Sequence, residues 1–152
     1  MIQRIQSIFL LVAAILMAVT VFSPLAFLAD NADGYFIARC LGFYKNGVGL
    51  EYPTCGVIVI AALVTVLLFI TIFLYKKRKL QLKLCYTSIV IILAFYGTFY
   101  AYLQAGLTAT ATTFVNVKYG LLLPVIALIF IILAITKIKA DEKLIQSLNR
   151  IR

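Results

Sequence analysis

Long uncharged stretches, separated by short charged segments, dominate the pattern of hydrophobic and polar positions along this chain. The stretches cover residues 5–29, 52–75, 84–117 and 119–136. A helix needs about 20 apolar residues to span the hydrocarbon core of a bilayer. The third stretch exceeds one span, so we expect its end to be a loop. The pattern predicts four transmembrane helices in a single domain, at about residues 7–28, 56–75, 84–104 and 119–138.

The fold class that this pattern predicts is an all-α membrane protein, a four-transmembrane-helix bundle with a small extracytoplasmic cap. The cap would consist of two outer loops, residues 30–55 and 105–118. A tail, residues 139–152, would follow the last helix. Eleven basic and two acidic residues fall on the side that holds both termini, whereas the other side has three of each. A basic bias marks the cytoplasmic side, so we predict that both termini are cytoplasmic.

The first outer loop contains a candidate β-hairpin at residues 35–52. Strand-forming residues lie on both sides of Asn46-Gly47, and such a dipeptide is a strong hairpin signal. A four-residue loop would place Cys40 opposite Cys55 and allow a disulfide bond, whereas a two-residue turn would offset the two cysteines by two positions. The register, and with it the candidate disulfide, stays open.

The second outer loop, residues 105–118, allows two interpretations. Apolar and polar residues alternate through residues 107–112 and continue in the same style to residue 117. Alternation of this kind is typical of a half-buried strand. The competing interpretation is that the third helix extends beyond the membrane.

Small residues recur at four-residue spacing on the third predicted helix. Rows of this kind let helix backbones approach closely in lipid, where packing drives helix association. We therefore predict a helix-packing face comprising Ala94, Gly97, Ala101 and Ala105. Aromatic residues crowd the outer half of the same helix, at Phe95, Tyr96, Phe99, Tyr100 and Tyr102. We interpret them as an aromatic belt at the membrane surface rather than as a ligand site.

The basic side carries a candidate surface for lipid headgroups or for a cytoplasmic partner. Four basic residues fill the tight turn between the second and third helices, and the tail after the fourth helix is basic and amphipathic. A basic amphipathic helix of this type is suited to a membrane surface. The predicted surface comprises Lys76, Lys77, Arg78, Lys79, Lys143, Leu144, Leu148, Arg150, Ile151 and Arg152.

Residue types that carry chemistry are few in this sequence. It has no histidine, and no Asp, Glu, Lys or Arg lies inside the four predicted spans. Proton relays and ion-coupled transporters place ionisable groups there. The three cysteines are divided between the two sides, which argues against a metal site. We therefore expect no catalytic residues, no cofactor, no metal and no enzymatic activity. Because the basic residues flank spans, we also expect no nucleic-acid partner.

Both ends of the chain resemble a known family. The matching segments are residues 1–7 (MIQRIQS), Ser23-Pro24, and residues 141–152 (DEKLIQSLNRIR). They are similar to a family of small four-helix integral membrane proteins of Bacteroidota, the domain-of-unknown-function family 4293. The resemblance implies four transmembrane helices in the bacterial inner (cytoplasmic) membrane. It implies no activity and no site residues.

The sequence offers surfaces suited to interaction but no recognisable catalytic residues, and two functional hypotheses follow. The first is a non-enzymatic accessory or scaffold subunit, which would contact the lipid bilayer and a membrane protein partner or a second copy of itself. The alternative is a lipid- or small-molecule-binding membrane protein, or a transporter. An enclosed, lipid-accessible cavity between helices would favour the alternative, whereas a tightly packed bundle would count against it.

Overall fold

A computed structural model describes residues 3–29, 34–45, 49–75, 77–110 and 112–150, with side chains for all of these except residues 3, 4, 110 and 144–150. The helices are α1 (Gln3–Phe22), α2 (Cys55–Phe73), α3 (Arg78–Thr110) and α4 (Leu123–Arg150). The strands are β1 (Ala26–Ala29), β2 (Tyr35–Ala38), β3 (Gly42–Lys45), β4 (Gly49–Pro53) and β5 (Thr113–Val117). A 3-10 turn, Tyr119–Leu121, precedes α4.

All four helices are long and apolar enough to cross a membrane, which confirms that part of the prediction. The candidate spans are Ile5–Phe22, Cys55–Phe73, Arg78–Ala109 and Tyr119–Lys143. Within the bundle, α1 packs against both α2 and α4, and α2 packs against α3, whereas α3 and α4 touch less extensively. The α3–α4 side is therefore the loosest side of the bundle.

The first helix is shorter than the sequence predicts. We expected it to reach residue 28, but α1 ends at Phe22 and residues 26–29 form strand β1. Pro24 has no backbone N–H and disfavours helical geometry in the residue before it. The backbone N–H of Ser23 makes a last helical bond to the Val19 carbonyl, at 3.0 Å. Two residues later, the Leu25 N–H donates to the Ala38 carbonyl and the sheet begins.

The strands form one five-stranded sheet in the order β4-β3-β2-β1-β5, and every neighbouring pair is antiparallel. The all-α fold class is therefore wrong, because the cap is a sheet rather than a set of loops. The predicted hairpin is confirmed as the β3–β4 pair. Residues 35–44 form two strands instead of one, because reciprocal backbone bonds between Arg39 and Gly42 close a turn there. Residues 46–48 lie outside the described residues.

Each interpretation of residues 105–118 is correct for one part of that segment. Helix α3 continues to Thr110, and β5 follows at Thr113–Val117. Strand β5 pairs with β1 at one edge of the sheet, whereas the β3–β4 hairpin forms the other edge. All five β5 side chains are exposed.

One face of the sheet packs on the helices at the end of the bundle that we call the cap end. Its buried side chains include Leu28, Phe36 and Phe43, which join a cluster with α2 and α3 residues such as Val57 and Phe95. Phe43 also lies directly against the α3 backbone at Gly106, where a Cβ atom would overlap its ring. The absence of a side chain at residue 106 therefore lets the sheet sit close to α3.

The opposite end of the bundle, which we call the basic end, is held by buried polar contacts. The Gln6 side-chain amide on α1 donates a hydrogen bond to the Asp141 carboxylate on α4, and both side chains are buried. The buried Gln81 amide on α3 donates to the Thr71 carbonyl of α2, at 3.2 Å. These two bonds connect α1 to α4 and α2 to α3 where the apolar core ends.

Candidate functional site

A cavity of about 530 Å³ lies at the cap end of the bundle, between α3 and residues of β1, β5 and the 3-10 turn. This volume is within the usual range of ligand pockets, about 300–1,000 Å³. Helix α3 forms one wall of the cavity, and the sheet and the 3-10 turn form the other. The lining residues are Ala26, Tyr96, Phe99, Tyr100, Leu103, Gln104, Leu107, Phe114, Val117 and Leu121.

The α3 wall is a single helical face. Its lining residues recur at alternating spacings of three and one between Tyr96 and Leu107, the pattern of one side of a helix. At 1.5 Å per residue, this face is about 16 Å long. The cavity is therefore elongated along α3.

The opposite wall combines segments that are distant in sequence. Ala26 comes from β1, Phe114 and Val117 come from β5, and Leu121 comes from the 3-10 turn. Antiparallel pairing brings Ala26 next to Val117. The Lys118 N–H donates to the Leu25 carbonyl at 2.9 Å, which fixes the chain between β5 and α4 against the chain that follows α1.

A hydrogen bond closes the cavity on the side of the helix core. The Tyr96 hydroxyl of α3 donates to the Leu121 carbonyl at 2.7 Å. This hydrogen bond joins α3 to the 3-10 turn at Tyr96, the α3 lining residue that lies farthest from the cap end. With that hydroxyl engaged, the polar lining side-chain groups are the Tyr100 hydroxyl and the Gln104 amide. The remaining lining side chains are aliphatic or aromatic hydrocarbon, so the cavity suits an apolar ligand.

The exposure of the lining residues shows where the cavity opens. Ala26 and Phe99 form its floor, with 1% and 5% of their surface exposed. At the rim, Tyr100 is 62% exposed, and Phe114 and Val117 are also exposed. The mouth therefore lies between α3 and β5, at the side of the molecule.

From the sequence we predicted another role for three of these lining residues. Tyr96, Phe99 and Tyr100 belong to the aromatic group that we interpreted as a membrane-surface belt. Phe99 is buried and Tyr96 is half-buried, so both lie inside the fold rather than on its surface. The sequence signal for this wall of the cavity was the spacing of the aromatic residues, which places them on one face of α3. The alternation up to residue 117 indicated a strand near β5, but no local pattern indicated that β5 would pair with β1 to form the opposite wall.

The predicted small-residue row does not pack inside the bundle. Ala94, Gly97, Ala101 and Ala105 are all exposed, and a Cβ atom at Gly97 would meet no atom within 4 Å. Large residues occupy the packed face of α3 instead, among them Ile92, Phe95 and Phe99. On a helix that is apolar all round, bulky side chains bury more surface against the core.

The candidate disulfide between Cys40 and Cys55, which the sequence left open, is not formed in this structure, where both thiols are free. The Arg39–Gly42 turn places Cys40 at the tip of the β2–β3 connection, not in a strand opposite Cys55. Its thiol is buried and donates to the Thr20 carbonyl, at 3.5 Å. Cys55 is exposed at the first position of α2. The pairing of Lys45 with Gly49 matches neither of the two registers that the sequence allowed.

We expect a thiol reagent at pH 7.5 to modify Cys55 alone in the folded protein, with or without reductant. Burial raises the pKa of the Cys40 thiol to about 12, so the reactive thiolate is scarce at that pH. Cys85 is buried within α3. Peptide mass spectrometry after alkylation checks this, and unfolded protein provides the control in which all three cysteines react. Modification of Cys40 only after reduction would contradict the structure.

The basic surface is described in part. Lys77, Lys79 and Lys143 are exposed. Arg78 is half-buried, and its Nη1 is buried without a hydrogen-bond partner among the described residues. Helix α4 continues through the predicted tail to Arg150. Lys76, Ile151 and Arg152 lie outside the described residues, as do the side chains of Leu144, Leu148 and Arg150.

No metal site accompanies the cavity. In the part of the chain that the structure describes, no three His, Cys, Asp or Glu residues are grouped so that they could hold a metal ion. The cavity lining itself has no carboxylate, amine or thiol group. The groups that the cavity presents to a ligand are hydrocarbon surface, the Tyr100 hydroxyl and the Gln104 amide.

Comparison with known proteins gives a family without an assigned activity. The family model described as "Domain of unknown function (DUF4293)" matches residues 2–151. No curated protein matches the chain.

Proposed function

The chain belongs to the DUF4293 family, and we propose that it is a membrane protein that binds an apolar ligand without chemically changing it. The cavity at the cap end carries this proposal. It combines a ligand-sized volume, a hydrocarbon lining and a mouth at the side of the bundle. Sites for small molecules are usually mostly apolar, with a few polar groups that set orientation.

The proposal places the protein in the bacterial inner membrane, with both termini cytoplasmic. Four helices of sufficient length and apolarity support a membrane location. The charge bias supports the orientation, because the basic end would face the cytoplasm. A lineage within Bacteroidota rests on the resemblance of the two terminal segments alone.

A small apolar photolabel, an aryl trifluoromethyl diazirine, tests whether the cavity binds ligands. We expect labelling of Tyr96 and Phe99 to exceed that of exposed apolar positions on α3. Leu103→Trp fills the cavity, and we expect it to lower labelling of the two residues at least about fivefold, since overpacking costs about 1 kcal/mol or more. Peptide mass spectrometry of protein in mild detergent measures the ratio.

Leu93→Trp is the matched control for this experiment. Leu93 also lies on α3, is 59% exposed and does not line the cavity. The Leu93→Trp variant should leave the labelling of Tyr96 and Phe99 unchanged. Equal labelling of cavity and exposed positions, unaffected by Leu103→Trp, would mean that the cavity does not retain apolar ligands.

A second candidate function is the accessory or scaffold subunit. The observation that favours it is the exposed small-residue row on α3, together with a shallow depression between Tyr52, Ala101, Tyr102 and Ala105. A partner helix could approach closely along such a row. Purification in mild detergent tests this role, because a specific complex should dissociate in the Gly97→Leu variant. The substitution should not disturb the chain itself, since a Cβ atom at residue 97 would meet no atom within 4 Å. A lone monomer without a co-purifying protein would argue against it.

A further inference from the structure

We infer that the ligand of the cavity is a single acyl chain of a membrane lipid, which enters sideways from the leaflet at the cap end. This inference rests on the proposed function and specifies the class of ligand. Three properties of the cavity support it: its length and direction, its position along α3, and the location of its polar groups.

The dimensions of the cavity fit one lipid chain. The part of the α3 wall between Tyr96 and Gln104 is about 12 Å long, which fits within the about 15 Å that one leaflet contributes to the roughly 30 Å hydrocarbon core. The cavity runs along a helix that crosses the bilayer, so its long axis is parallel to the lipid chains around it. Its volume of about 530 Å³ accommodates one chain but not a complete two-chain phospholipid.

The position of the cavity along α3 places it at the depth of one leaflet. The last basic residue at the beginning of α3 is Lys83, and about 20 helical residues beyond it cross the hydrocarbon core. The core would then end near Leu103. Tyr96 and Phe99 therefore lie in the leaflet at the cap end, and Gln104 lies at its polar boundary.

The polar groups of the lining define the orientation of the lipid. The Gln104 amide lies at the polar boundary, and the exposed Tyr100 hydroxyl is one turn deeper on the same helical face. A headgroup near Gln104 would have hydrogen-bonding partners, while the chain extended down the wall towards Tyr96. The exposed rim between Tyr100 and Phe114 gives the lipid sideways access without removing the chain from apolar surroundings.

Two photoreactive lipids test the inference, in vesicles of phosphatidylethanolamine and phosphatidylglycerol that contain the full-length protein. Both are phosphatidylglycerols, one with a diazirine near the end of an acyl chain and one with a diazirine on the headgroup. We expect the chain probe to react with Tyr96 and Phe99, and the headgroup probe to react near Gln104. Leu103→Trp should lower the chain-probe reaction at least about fivefold, and Leu93→Trp should leave it unchanged.

The outcomes separate this inference from the proposed function. Chain-probe reaction spread evenly over the exposed faces of α3, and insensitive to Leu103→Trp, would overturn the inference. If the small apolar photolabel still labels the cavity in that case, the proposed binding function stands and the ligand is not a lipid chain. Ala26→Leu, which fills the cavity from the sheet side, provides a second variant. Loss of the chain-probe signal in both filled variants supports the inference.

Discussion

Gly106→Leu is expected to destabilise the folded protein by about 2–3 kcal/mol, because a side chain at this position collides with a buried ring. A Cβ atom at residue 106 would already overlap Phe43. Phe43 is fully buried between the sheet and α3, so its ring has little room to move. The sheet would have to separate from α3, which would expose the apolar face that holds the cap in place.

Gly97→Leu is the matched control for this prediction, since it makes the same change in the same helix. A Cβ atom at Gly97 would meet no atom within 4 Å, so the variant should be at least as stable as the natural protein. Unfolding by SDS in mixed micelles, followed by circular dichroism, measures the difference. Equal stabilities of the two variants would show that the sheet does not pack on α3 as described.

Gln6→Leu is expected to cost about 2–3 kcal/mol of stability, because it removes the hydrogen-bond donor of a buried carboxylate. The Gln6 amide donates to Asp141, and both side chains are buried at the interface of α1 and α4. A buried carboxylate without a partner carries its desolvation penalty in full. The same denaturation experiment measures the loss.

A double-mutant cycle separates this effect from lost packing. Asp141→Leu combined with Gln6→Leu replaces both polar partners by apolar groups, which can be nearly neutral. The double variant should therefore regain most of the stability lost in Gln6→Leu. Additive losses in the two single variants would mean that the side chains do not interact.

Properties that depend on local composition were predictable from the sequence. The four helices of spanning length are one example, because a run of apolar residues long enough to cross a bilayer is recognisable without knowledge of its neighbours. The β3–β4 hairpin is another, because the strand-forming residues and the turn lie within one short segment. The charge bias between the two ends of the bundle is likewise a property of the sequence alone.

The face that each helix buries was not predictable. Helix α3 is apolar on nearly every side, so its periodicity does not distinguish a core face from a lipid face. Small residues indicated one packing face without identifying its partner, and the face that the structure buries within the bundle is another, which carries Ile92, Phe95 and Phe99. The register of the cysteines stayed open for a related reason, since the turn at Arg39–Gly42 depends on strand pairing that the sequence does not determine.

The sequence by itself determined that four segments are long and apolar enough to cross a membrane, and that charge is distributed unevenly between them, because each property follows from composition along a short segment. Only the tertiary structure decided that a five-stranded sheet caps the bundle and that a cavity lies beneath its β5 edge. Ala26, Tyr96 and Val117 become neighbours there through antiparallel pairing and helix packing. Contacts between residues so far apart depend on the packing of the whole chain, which no local pattern encodes.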